Sequence, residues 1–177
     1  NVIKLITRGR WHSYKDGDEN IKPTKKQREL SVSKNEGKKI KGVAGSGKTQ
    51  VLAWRAVSAQ VRTGGKILIL TFNLTLVNYI KYRINQVAAD FNWAQFDITN
   101  YHQFFKSQAN NHNIKAKIED WDNSKFFDSV SDKTIKYDTI FFDEAQDYRY
   151  EWYLLVKNNF LKEGGEFVVF GDGRQNI

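Results

Sequence analysis

The sequence predicts an α/β domain in three layers, with helices on both faces of a central, mainly parallel sheet, and three observations predict it. Apolar runs of strand length alternate with amphipathic helical stretches over residues 21–177. A glycine-rich run, GVAGSGKT, joins one such strand directly to one such helix. An acidic pair, Asp143-Glu144, follows the apolar run YDTIFF. Alternating strands and helices form parallel sheets covered on both faces, whose ligands bind at the carboxyl ends of the strands. Both polar motifs fall at such ends.

Element by element, residues 1–20 read as a short apolar strand, Val2 to Ile6, followed by a polar arm or linker. Pro23 and Thr24 mark a helix start, with Thr24 as N-cap. Lys39 to Val43 is a strand running into the glycine-rich loop, and Lys48 to Arg62 is a helix ended by Gly64-Gly65. KILILT, Lys66 to Thr71, is a buried-type strand. Leu74 to Ala88 is a helix with Leu74, Val77, Ile80, Ile84 and Val87 on one face. A strand is expected over 96–100, with Tyr101 opening the next helix. Residues 107–136 are polar and mixed, with a helix around Trp121 to Val130. Tyr137 to Asp143 and Glu166 to Asp172 are strands separated by a helix from Tyr150 to Leu161.

Composition sets the outer bounds. The chain has 177 residues, enough for one domain with a substantial core. Cysteine is absent, which excludes disulfides and thiolate metal sites. His12, His102 and His112 lack the spacing of a zinc site. No apolar stretch is long enough to span a bilayer, so a cytoplasmic protein without a membrane partner is expected. Methionine is absent even at position 1, as expected of a piece of a longer protein. The net charge of +8 is concentrated in residues 1–62, and it suits either phosphate backbones or a solvated surface.

The run from Gly42 to Thr49 fits G-x-x-x-x-G-K-[ST] throughout, the pattern of a phosphate-binding P-loop. Gly42, Ala44, Gly45, Ser46 and Gly47 let the backbone wrap an anion with its N–H groups, and the following helix adds its positive end. Lys48 supplies a point charge at the β/γ-phosphates of ATP, and Thr49 supplies a hard oxygen for Mg²⁺. Asp143 is the second expected Mg²⁺ group, and Glu144 the base that orients and deprotonates the attacking water.

Five motifs in order, GVAGSGKT, TFNLTLVNYI, ITNYHQFF, DEAQD and GDGRQNI, resemble the superfamily 1 helicases of the UvrD/Rep/PcrA-like branch over residues 21–177. The resemblance implies the first RecA-like domain of a P-loop NTPase motor. It makes Gln175 the γ-phosphate sensor, and Gln146, Asp147 and Asp172 coupling residues. Gln27 becomes the adenine reader, and Gln50 and Arg55 become groups near the nucleotide. Phe72, Asn73, Thr99, Asn100, Tyr101 and His102 become contacts to single-stranded DNA, with RNA less favoured. Phe104 and Phe105 read as core.

In that family an accessory domain follows the T-x-H segment, and here it is reduced to residues 107–136. The second RecA-like domain and its arginine fingers lie beyond these residues, so the fragment is expected to bind ATP, hydrolyse it weakly and not unwind duplexes. An arginine finger contributes roughly 10³–10⁵ in rate. The branch moves 3′ to 5′ on DNA. The competing reading is a nucleotide-gated nucleic-acid or protein binding module that does not translocate. A small-molecule kinase is weaker, since DEAQD and GDGRQ are not needed to position an acceptor hydroxyl.

Overall fold

The computed structural model describes residues 23–43 and 45–172. Ala44, Gln175 and the expected arm over 1–20 lie outside the described residues. Five parallel strands form one sheet in the order β1-β5-β4-β2-β3, with β1 Gly37–Lys41, β2 Ile67–Thr71, β3 Phe96–Asn100, β4 Tyr137–Phe142 and β5 Leu161–Gly171. The helices are α1 Lys25–Leu30, α2 Lys48–Thr63, α3 Leu74–Asn85, α4 Tyr101–Asn111 and α5 Tyr150–Phe160.

Successive side chains of a strand point to opposite faces, and here each face has its own core. Ile67 and Ile69 of β2, with Phe141, Val168 and Phe170, pack against Leu52 of α2 and Ile80 and Ile84 of α3. Leu68 and Leu70, with Ile140 and Phe142, pack against Phe104 and Phe105 of α4 and Leu155 and Phe160 of α5. All five residues of β2 are therefore buried, as an unbroken apolar run requires. Edge strand β1, GKKIK, buries Ile40 alone and carries three lysines, which discourage pairing with another chain.

Several elements differ from their sequence-based expectation, among them α3, which ends at Asn85, three residues before the expected Ala88. The helix expected around Trp121 is replaced by two 3₁₀ turns, Ile118–Asp122 and Asp128–Lys133. Short polar side chains take over the backbone donors there: Lys117 N–H donates to Asp120 Oδ2 (2.7 Å) and Lys125 N–H to Asn123 Oδ1 (3.1 Å), which favours turns over a continuous helix. Strand β5 begins at Leu161, the expected last residue of α5, and its ladder with β4 shifts register between Tyr137 and Thr139. The irregularity holds Gly164 at φ +68°, and a Cβ on Gly165 would sit 2.8 Å from the Lys162 carbonyl oxygen, so two glycines occupy the bulge. Finally, β1 starts two residues earlier than expected.

Arg55 lies inside the fold, within an ion network. Its side chain is fully buried under β5, its Nε 2.6 Å from Glu166 Oε1 and its Nη2 3.0 Å from Glu36 Oε1. Nη1 donates to the Leu30 carbonyl at 2.9 Å. Arg62 and the Ser33 hydroxyl complete the shell of the buried Glu166 carboxylate. Such a guanidinium has no open face for a nucleotide. It instead anchors α1 at its last residue and ties α1 to the sheet.

Candidate functional site

Strand β5 lies between β1 and β4, so the glycine-rich loop after β1 and the acidic pair after β4 rise from strand ends two positions apart. Gly42 N–H donates to the Gly171 carbonyl at 3.2 Å, and Asp143 N–H to the Leu70 carbonyl at 2.8 Å, so both motifs begin as continuations of the sheet. Gly45 (φ +76°) and Gly47 (φ +81°) hold left-handed backbone that a side chain would strain. A Cβ on Gly42 would collide with Ser46 Oγ, so glycine there lets the loop close on itself. Lys48 Nζ donates to the Gly42 (2.6 Å) and Val43 (3.1 Å) carbonyls, which holds its ammonium inside the loop's curve. Thr49 and Gln50, both half-buried, follow in the first turn of α2.

Gln27 reaches the same loop. Thr24 and Gln27 form a reciprocal capping box: Gln27 N–H donates to Thr24 Oγ1 (3.2 Å) and Thr24 N–H to Gln27 Oε1 (2.9 Å). The Gln27 amide then donates from Nε2 to the Ser46 carbonyl at 3.1 Å. One side chain thus caps α1 and touches the loop.

Asp143 is the most buried charge-bearing group of the acidic motif, 2% exposed. Its Oδ1 accepts from Glu144 N–H at 3.1 Å, while Oδ2 is buried without a hydrogen-bond partner. Burial raises its carboxyl from the ordinary 3.8 to about 6, partly opposed by the Glu144 N–H bond and by Lys48. Glu144 takes left-handed backbone, φ 56° and ψ 48°, turning its side chain out of the strand direction at the start of the 3₁₀ turn Ala145–Asp147. Its pKa is also raised, by burial and then by Asp147, with the Asn73 backbone and the charge of Lys48 acting the other way. Gln146 bridges two motifs: Nε2 donates to Asp147 Oδ2 (3.1 Å), and Oε1 accepts from Asp172 N–H (3.2 Å).

The raised Asp143 pKa has a consequence for stability. Above pH 6 the carboxyl is ionised in both the folded and unfolded chain, and ionisation costs the folded chain roughly 3 kcal/mol, since a tenfold change in proton affinity is worth about 1.4 kcal/mol. Below the unfolded value it is protonated in both, and the cost vanishes. Asp143→Asn is therefore expected to stabilise the protein by roughly 1–3 kcal/mol at pH 8 and by little at pH 4. Urea unfolding at the two pH values measures this, and equal stability of parent and variant at pH 8 would contradict it.

An aromatic surface adjoins the acidic pair. Phe72, 41% exposed, lies just beyond β2, with its ring 6.5 Å from that of His102. His102 packs on Trp121 (4.3 Å) and is held below its ordinary pKa by burial and then by Lys106, against an opposite pull from Asp122. It is consequently a neutral imidazole near pH 7, both donor and acceptor. Asn73 is exposed, with Oδ1 accepting from Thr75 N–H as the N-cap of α3.

Other residues expected at this surface are occupied internally. Tyr101 is fully buried, stacks on Trp152 at 4.2 Å and 4°, and donates its hydroxyl to the Trp121 carbonyl. Asn100 is 8% exposed and caps α4 through Gln103 N–H, and the Thr99 hydroxyl lies 3.2 Å from Gln103 Oε1. Phe104 and Phe105 are core. Sequence reasoning missed Tyr148 and Trp121 here. The only signal for either was an aromatic residue beside a polar motif.

A glycine-rich loop opening a helix, and an acidic strand end beside it on a parallel sheet, define the P-loop NTPase class. The chain belongs to the AAA domain family, whose family model matches residues 27–177. It is a nucleotide-binding P-loop ATPase domain. No curated protein matches the chain. No helix among the described residues is long and apolar enough to cross a membrane.

Proposed function

We propose that this domain is the ATP-binding half of a superfamily 1, UvrD-like motor that couples ATP hydrolysis to movement on single-stranded DNA. The observation that carries this reading is the position of Glu144. The motif that carries it starts at Asp143, whose N–H donates to the Leu70 carbonyl of β2 at 2.8 Å, two residues before Phe72, while the charge of Lys48 acts on Glu144 from the phosphate loop. A strand held on Phe72 and His102 therefore bears on the end of β2, the segment to which the acidic motif is hydrogen-bonded.

The residues fit ATP with Mg²⁺. The orphaned, buried Oδ2 of Asp143 is an acceptor suited to a cation or its bound water, and the Thr49 hydroxyl is a second hard ligand. Bound Mg²⁺ would neutralise charge on the phosphates. Lys48 and the loop N–H groups orient the triphosphate, and Glu144 takes a proton from the attacking water. Gln27, whose amide touches the loop at Ser46, is proposed as the adenine reader. Gln146 links the acidic motif to Asp172, and Gln175 is proposed as the γ-phosphate sensor. A second RecA-like domain would supply the arginine finger.

ATP hydrolysis by the intact protein with and without single-stranded DNA tests the motor reading. Stimulation is expected, and its absence with both DNA and RNA would sink the reading. Lys48→Ala is expected to weaken ATP binding roughly 10- to 150-fold, as loss of a charged hydrogen bond implies. Titration with a fluorescent ATP analogue reads this, and unchanged affinity would overturn the phosphate-site assignment.

A further inference from the structure

Tyr148 directly follows the 3₁₀ turn that begins after Glu144, and its ring is buried between the two halves of the site. Phe72 meets it edge-on at 5.8 Å and 74°, and Tyr101, at the start of α4, at 6.3 Å and 84°. Phe142, the residue before Asp143, meets it at 5.0 Å and 85°. The ring is thus held by the exposed aromatic surface on one side and by the strand bearing the acidic pair on the other.

Its hydroxyl behaves differently from those of its neighbours. Tyr101 donates to the Trp121 carbonyl at 2.9 Å and Tyr153 to the Ala145 carbonyl at 2.6 Å. The Tyr148 hydroxyl is buried without a partner. Phenylalanine would fill the same ring contacts without desolvating a polar group, so packing does not account for the oxygen. Burial, and then the charges of Tyr153, Asp143, Glu144 and Asp147, hold the phenol well above its ordinary pKa, so it stays a neutral donor.

We infer that Tyr148 is a positioning residue that couples nucleic-acid contact at Phe72 to the acidic pair. A base settling on Phe72 displaces the Phe72–Tyr148 edge contact, and the hydroxyl then donates to a carboxylate of the acidic motif, changing how that motif meets the nucleotide. This inference rests on the nucleic-acid reading proposed above. It requires the hydroxyl, whereas the packing requires only the ring.

Tyr148→Phe separates the two. The affinity of labelled oligothymidylate is measured with and without a non-hydrolysable ATP analogue and Mg²⁺, and analogue affinity is measured with and without oligothymidylate. Coupling between sites is reciprocal and commonly lies at about 5- to 150-fold. The parent is expected to show a ratio in that range from both directions. Tyr148→Phe is expected to keep each single-ligand affinity and to melt no lower than the parent, since it removes an unpaired buried hydroxyl, while its ratio falls to within about twofold of unity. A variant that keeps the parent's ratio, or loses both single-ligand affinities, overturns the inference. So does a parent that binds both ligands without any mutual effect. A parent that binds no oligothymidylate overturns the nucleic-acid reading itself, and the inference falls with it.

Discussion

Glu144→Gln is expected to leave ATP affinity within about twofold of the parent while slowing turnover roughly 10²- to 10⁴-fold, the usual contribution of a general base. The amide keeps the size of the side chain and the left-handed backbone at φ 56°, so it changes the proton acceptor and little else. Glycine would relieve the backbone strain, of about 1–2 kcal/mol for a residue with a Cβ, and would confound the comparison. Affinity is expected to survive because the phosphate-binding groups, Lys48 and the loop backbone, arise from β1 and α2, whereas Glu144 follows β4. Burial raises the Glu144 pKa above its ordinary 4.5, with Asp147 adding to the effect, which strengthens the carboxylate as a base near neutral pH. The acid limb of the parent's kcat profile should accordingly lie above that of an ordinary glutamate. Single-turnover hydrolysis and equilibrium ATP titration measure the two quantities. A variant with parental turnover removes Glu144 from this role.

The parts legible in sequence are those whose signal is local. KILILT and YDTIFF announce strands because burial on both faces demands an unbroken apolar run. GVAGSGKT announces its loop because Gly45 and Gly47 take up conformations that other residues resist. The acidic pair stands out for similar reasons, placed straight after β4. What stays hidden depends on partners distant in the chain. Nothing near Arg55 shows that Glu166, 111 residues away, will neutralise it, so a nucleotide contact is equally reasonable from sequence. Tyr101 reads as a strand-end aromatic able to stack on bases, but Trp152 covers its face. The residues around Trp121 have helical spacing, but Asp120 and Asn123 take the backbone donors first. In each case a tertiary or side-chain partner overrides a local pattern.

Glu166→Ala is expected to cost about 3–5 kcal/mol, the penalty for stripping one member from a buried ion pair. Arg55 would keep only Glu36, whose side chain is 34% exposed, and the Leu30 carbonyl, with its Nε–H buried and unmatched. The reverse deletion should be milder. In Arg55→Met the Glu166 carboxylate retains Arg62 at 3.2 Å and the Ser33 hydroxyl, and the methionine stem refills the volume. Glu36→Ala should cost less than about 1 kcal/mol, as at other solvent-screened pairs. The expected order of destabilisation is therefore Glu166→Ala, Arg55→Met, Glu36→Ala, read from urea midpoints at constant m value. The network also bears on function, because Arg55 grips the end of α1, whose Gln27 touches the loop at Ser46. At low urea, where Arg55→Met stays folded, its ATP affinity should fall through loosening of α1, and Gln27→Ala should then cause little further loss. Independent, fully additive losses in the two variants would show that Arg55 does not act through α1, and would leave the ion network a purely structural feature of the sheet.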